Sequence, residues 1–118
     1  MTNELTNELP PSERRRSERV LQELLIKVSW RNSKGKEIRV STRTVNVSRY
    51  GAKILMKDEL IPGQEIGVHC LITAKEGKAR VVGLAEKQGR VYFYGINFMD
   101  PDNNLWDIPF RLLFETLE

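Results

Sequence analysis

A chain of 118 residues has room for one ordinary domain and not for two; its 40% apolar content supports a real core and its 30% charged content a soluble surface. No run approaches the ~18 apolar residues a transmembrane helix needs, and the polar, acidic N-terminus lacks an apolar signal core, so a cytosolic protein is expected. One cysteine, Cys70, excludes an intramolecular disulfide, and one histidine, His69, excludes the common zinc sites and any two-histidine metal site.

Residues 1–13 read as a flexible leader, because Pro10-Pro11 blocks regular structure. Residues 14–20 form an arginine-rich arm, Arg14-Arg15-Arg16-Ser17-Glu18-Arg19. Residues 1–19 hold four arginines and four glutamates, so this end is neutral overall. A nucleic-acid-binding tail carries an unopposed basic run, since its affinity comes from neutralising many phosphates. Bunched arginines in a neutral arm suit a compact ligand with few phosphates.

From 21 to 98 the apolar period is about two. Leu24, Ile26, Val28 and Trp30 alternate with polar neighbours, and Asn32-Ser33-Lys34-Gly35 marks a turn. A second strand is expected over 36–45, and further strands near 51–57, 65–75, 78–86 and 90–98. Turn signals stand at Ile61-Pro62-Gly63-Gln64, Glu76-Gly77-Lys78 and Gln88-Gly89-Arg90. Cys70 falls in the alternating set Ile66, Val68, Cys70 and Ile72, which reads as a buried structural thiol; His69 then faces outward. Six short strands without helical spacers predict an all-β fold, a six-stranded antiparallel β-barrel. Closure of the barrel also removes exposed strand edges.

The period changes in the tail. Ile108, Phe110, Leu112, Leu113, Phe114 and Leu117 can share one helical face, and Asp107 before Pro109 suits an N-cap. A C-terminal α-helix over 107–117 is expected to cover the barrel, with Trp106 packed on the barrel or exposed beside it.

The functional signal is a pair of clusters, the arginine arm and Asn46-Val47-Ser48-Arg49-Tyr50-Gly51. One hairpin separates them. An antiparallel pair of similar strands returns the chain to its starting end, so the two clusters become neighbours. Arginine offers a planar fork of donors to phosphate or to the O6/N7 edge of guanine. Asn46 offers a donor and an acceptor, Ser48 a hydroxyl, and Gly51 permits a positive φ or a close backbone approach. Either motif alone is ordinary surface or turn chemistry; their order and juxtaposition point to an anionic, guanine-bearing ligand.

This pattern resembles the PilZ domain, a bacterial receptor module for cyclic di-GMP, over residues 13–117. The family's Arg-x-x-x-Arg motif matches Arg15 and Arg19, and its Asp/Asn-x-Ser-x-x-Gly motif matches Asn46, Ser48 and Gly51. Tyr94-Gly95-Ile96-Asn97-Phe98 is similar to the family's last barrel strand. The resemblance implies a stand-alone PilZ-like domain over 14–118, with a barrel over 21–98 and a C-terminal helix. It implies an arm that closes over cyclic di-GMP: Arg15 and Arg19 grip phosphate and guanine, Asn46 and Ser48 read a guanine edge, and Gly51 shapes the loop. Arg14 resembles the residue of members that bind an intercalated pair of ligand molecules. Arg16 and Arg49 have no matched position. The implied role is a cytoplasmic signalling receptor that is not an enzyme, needs no cofactor and alters contacts with a downstream protein. Two alternatives remain. One is a nucleic-acid-binding barrel that stacks bases on Tyr92 and Tyr94; the other is a PilZ-like protein-interaction scaffold without ligand.

Overall fold

The computed structural model describes residues 19–108. Its strands are β1 (Val20–Leu21), β2 (Leu25–Arg31), β3 (Glu37–Val47), β4 (Gly51–Met56), β5 (Glu65–Cys70), β6 (Glu76–Gln88) and β7 (Val91–Phe98). Every pairing is antiparallel. The sheet runs β3-β2-β5-β6-β7-β4, and β4 pairs back onto β3. That last ladder closes the sheet into a six-stranded barrel and pairs the edges an open sheet would expose. The two-residue β1 pairs antiparallel with the Asn46–Val47 end of β3.

The inward positions alternate along each strand. Ile26 and Val28 of β2, Ile54 and Met56 of β4, Ile66, Val68 and Cys70 of β5, and Tyr94 and Ile96 of β7 are all buried. Each aliphatic or aromatic side chain so buried contributes roughly 1.5–3 kcal/mol. Leu60, from the β4–β5 connection, joins this core, and its N–H donates to the Tyr94 hydroxyl at 2.8 Å. Leu105 and Trp106 join it from the segment after β7. Trp106 is therefore packed on the barrel, with its ring 5.4 Å from that of Phe98.

Two expectations about strand ends and turns need correction. β5 stops at Cys70, and Ile72, expected in the inward set, is 68% exposed. Cys70 and Lys75 close a tight turn through Cys70 N–H to Lys75 C=O and Ala74 N–H to Cys70 C=O, both at 2.9 Å. Ala74 adopts a φ of 64° there. An apolar alternation that runs on into a turn gives no residue-type signal of where the strand ends. The turn expected at Glu76-Gly77-Lys78 instead lies inside β6. Gly77 sits at an inward position, where a Cβ would come within 3.1 Å of the Asn103 side-chain nitrogen. Glycine serves room there, not turning.

The helix expected over 107–117 falls outside the described residues from Pro109 onward, as do the leader and Arg14–Glu18. Asp107 has a φ of 58° and gives its carboxylate to Lys75 Nζ at 2.7 Å. That is not the extended backbone of a helix N-cap. Among the described residues, no helix is long and apolar enough to cross a membrane.

Candidate ligand-binding site

The end of β3 carries the site. Leu21 pairs with Asn46 and Val20 with Val47, so the start of the described chain lies beside the Asn46–Gly51 loop. Between β1 and β2 the ladder breaks, and Thr44 spans the break. Its hydroxyl accepts from Leu24 N–H at 2.9 Å and donates to Gln22 C=O at 2.7 Å. Thr44 is fully buried, so these bonds hold the arm's entry against β3 without water.

The loop is a tight turn. Ser48 N–H donates to Gly51 C=O at 2.9 Å, and Tyr50 N–H donates to the Ser48 hydroxyl at 3.2 Å. Tyr50 C=O accepts from Phe98 N–H at 2.7 Å, which ties the loop to β7. Of the two reasons for a glycine at 51, close approach is the operative one. A Cβ on Gly51 would lie 1.8 Å from the Ile96 carbonyl oxygen. Only glycine lets β4 start this close to β7.

Arg19, Asn46, Ser48 and Gly51 line one depression of ≈ 340 Å³. The structure thus brings together four of the six residues singled out from sequence; Arg14 and Arg15 lie outside the described residues. The far wall comes from Lys53 of β4, Gly95 and Asn97 of β7, and Val82 and Ala85 of β6. Lys53 pairs with Gly95 and Gly51 with Asn97 in the β4–β7 register. Val82 is 58% exposed and stands 4.0 Å from where a Cβ on Gly95 would be, so the part of the wall formed by Val82, Ala85 and Gly95 is apolar. Among the described residues, two cations, Arg19 and Lys53, line the depression and no carboxylate does. Such a surface can hold an anion and lay a planar base on its apolar part.

The far wall was missed in the sequence. Alternation along β4 does place Lys53 outward, but only the strand order shows that β6 and β7 stand beside it. Arg49, which matched no motif position, turns toward the chain after β7 and pairs with Asp102 at 3.3 Å. Trp106 reaches the loop from the same segment. Its indole N–H lies 3.2 Å from Ser48 C=O and 3.4 Å from Gly51 C=O.

Tyr94 does not serve as a base-stacking residue. Its ring is 2% exposed inside the barrel and its hydroxyl is engaged with Leu60. Tyr92 is half-buried and stacks on it at 5.9 Å. Cys70 is buried, far from the reactive setting a nucleophile needs. Among the described residues, no cluster of histidine, cysteine or carboxylate side chains is arranged to hold a metal.

A model of the PilZ domain matches residues 13–115. The structure of the PilZ domain of YcgR from Escherichia coli with c-di-GMP aligns with a TM-score of 0.56 at 18% identity, over 77% of this chain and 83% of that one. MrkH of K. pneumonia aligns with a TM-score of 0.53 at 15% identity, over 84% of this chain. The chain spans about half of MrkH, 49% of its length. At these identities the likeness is one of fold. No curated protein sequence matches the chain.

Proposed function

The chain belongs to the PilZ domain family, receptors for cyclic di-GMP, and we propose that it binds this dinucleotide at the depression between Arg19 and the Asn46–Gly51 loop. The observation that carries the reading is the β1–β3 pairing, which sets Arg19, Asn46, Ser48 and Gly51 around one cation-lined depression. Cyclic di-GMP presents two phosphates and two guanine edges. Arg15 and Arg19 supply forks for a phosphate and for guanine O6/N7. Asn46 and Ser48 take a guanine edge, and Lys53 adds charge opposite them. The protein binds its ligand and does no chemistry on it.

The arm of residues 14–20 closes over the ligand. Ordering a chain segment on a ligand costs roughly 1–2 kcal/mol per residue, and Val20 already anchors this one by pairing with Val47. Charge-assisted hydrogen bonds, worth roughly 1.5–3 kcal/mol each, offset that cost. Arg14, directly before the Arg-x-x-x-Arg motif, decides whether the site takes one ligand molecule or an intercalated pair. The signal leaves through the loop. Trp106 and the Arg49–Asp102 pair join the loop to the segment that leads into residues 109–118. A ligand that shifts Ser48 or Gly51 therefore acts on the C-terminal segment, and contact with a downstream protein changes there.

Titration calorimetry with cyclic di-GMP tests the reading. Binding heat is expected for the natural chain, with weaker binding in Arg15→Ala and Arg19→Ala. No heat at tens of micromolar ligand overturns it.

A further inference from the structure

Asn97 lines the depression but belongs to neither sequence cluster. It sits on β7 directly across from Gly51, with Arg80 of β6 on its other side. Ile96 before it is buried in the barrel, so strand alternation turns the half-buried Asn97 side chain outward, to the depression. Among the described residues, the hydrogen bonds at this end of the site join backbone groups or use Ser48 and Trp106. None of them uses the Asn97 amide, which carries both a donor and an acceptor.

The strands set what that amide faces. Val47 of β3 pairs with Val20 on one edge and with Ala52 of β4 on the other. The arm therefore enters on the flank of β3 away from β4 and β7, and Arg19 and Asn97 stand on opposite sides of the depression. Ser48 N–H meets Gly51 C=O, and Gly51 pairs with Asn97. Ser48 and Asn97 are thus two strand steps apart, about 10 Å between backbones at ~4.8 Å per step. Gly51, between them, carries no side chain. A flat ring with a hydrogen bond of ~2.9 Å at each edge fits a gap of that size.

The polarity of the two sides orients the ring. Guanine presents the acceptors O6 and N7 on one edge and the N2 amino donor on the opposite one. Arginine forks take the O6/N7 edge, and here they come from the β1 side. A guanine held that way turns its amino group toward β7. Lys53, on the same wall, donates and cannot accept. Val82, Ala85 and Gly95 carry no polar side-chain atom. Among the described residues of that wall, Asn97 alone carries a side-chain acceptor.

We propose that Asn97 is a specificity-determining residue of this site. Its Oδ1 accepts the N2 amino group of a bound guanine, and this bond separates guanine from purines that lack that group. The inference rests on the cyclic di-GMP reading and adds to it the residue that reads the far edge of the base.

The test compares cyclic di-GMP with cyclic di-inosine monophosphate, which lacks only the amino groups, by calorimetry on the full chain. The natural chain should bind the guanine ligand about three- to tenfold more tightly, the worth of one hydrogen bond. Asn97→Ala should lose that preference by weakening cyclic di-GMP and leaving the inosine ligand unchanged. Asn97→Asp keeps an accepting oxygen, so its charge should weaken both ligands while the preference survives. Thermal unfolding of both variants should match the natural chain within a few degrees. Equal binding of the two ligands by the natural chain overturns the proposal, and so does a preference that survives in Asn97→Ala. In either case cyclic di-GMP still binds, and the reading of the site stands. A natural chain that binds neither ligand overturns that reading and the proposal with it.

Discussion

Gly51→Ala is the sharpest single perturbation of the loop. The added Cβ would lie 1.8 Å from the Ile96 carbonyl oxygen, 2.9 Å from its carbon and 3.1 Å from the Asn97 Cα. All three are backbone atoms, so no side chain can swing aside. Restoring an ordinary contact of 3.4 Å needs β4 and β7 to separate by about 1.6 Å at this point. Overpacking of this kind costs about 1–3 kcal/mol. The displacement also pulls Gly51 C=O from Ser48 N–H and from the Trp106 indole, and a buried polar group left unpaired costs about 1–3 kcal/mol. A total loss of about 2–6 kcal/mol lowers Tm by roughly 8 °C or more in a domain of this size. Thermal unfolding followed by circular dichroism reads it. Gly83→Ala is the matched control, because its Cβ meets nothing within 4 Å; its Tm should stay within a few degrees of the natural chain. A Gly51→Ala variant that melts with the control refutes the close-approach account of this residue.

Other substitutions separate binding from stability. Arg19→Ala should weaken cyclic di-GMP binding by about 1–3 kcal/mol in calorimetry with little change in Tm; equal affinity removes Arg19 from the site. Lys53→Ala should weaken binding by about 1 kcal/mol and flatten its salt dependence. Its pair with Glu86, at 3.9 Å and solvent-screened, predicts a stability change near zero by urea unfolding. Thr44→Val keeps the side-chain shape but strands Leu24 N–H and Gln22 C=O, so the urea midpoint should fall by an amount equivalent to about 2–3 kcal/mol. Trp106→Phe removes the indole N–H from Ser48 and Gly51. It should abolish the ligand-induced change in tryptophan fluorescence, whereas Trp30→Phe should preserve it; the reverse result breaks the proposed link from loop to C-terminal segment.

The barrel was legible because alternation in Ile26–Val28, Ile66–Cys70 and Tyr94–Ile96 reports burial directly. Strand ends were less so. Ile72 continues the apolar pattern past the point where the Cys70–Lys75 bonds turn the chain, and those bonds depend on backbone geometry rather than residue type. The near wall of the site was legible for a related reason. Arg19 and Asn46 flank one hairpin, and a hairpin's ends meet wherever its strands match in length. The far wall was not, because Lys53, Val82 and Asn97 are brought together by the non-local β6–β7–β4 order. Gly51 illustrates the middle case: the sequence offers two reasons for a glycine, and only the packing of β4 on β7 selects between them.

Arg19 and the Asn46–Gly51 loop are proposed as one site for cyclic di-GMP. Native mass spectrometry during a ligand titration tests it most directly, since binding and stoichiometry are read together. Discrete addition of ligand mass, one molecule or an intercalated pair per chain, is expected at tens of micromolar, with its loss in Arg19→Ala/Asn46→Ala. A spectrum with no ligand-bound species, or with the same bound fraction in that double variant, contradicts it.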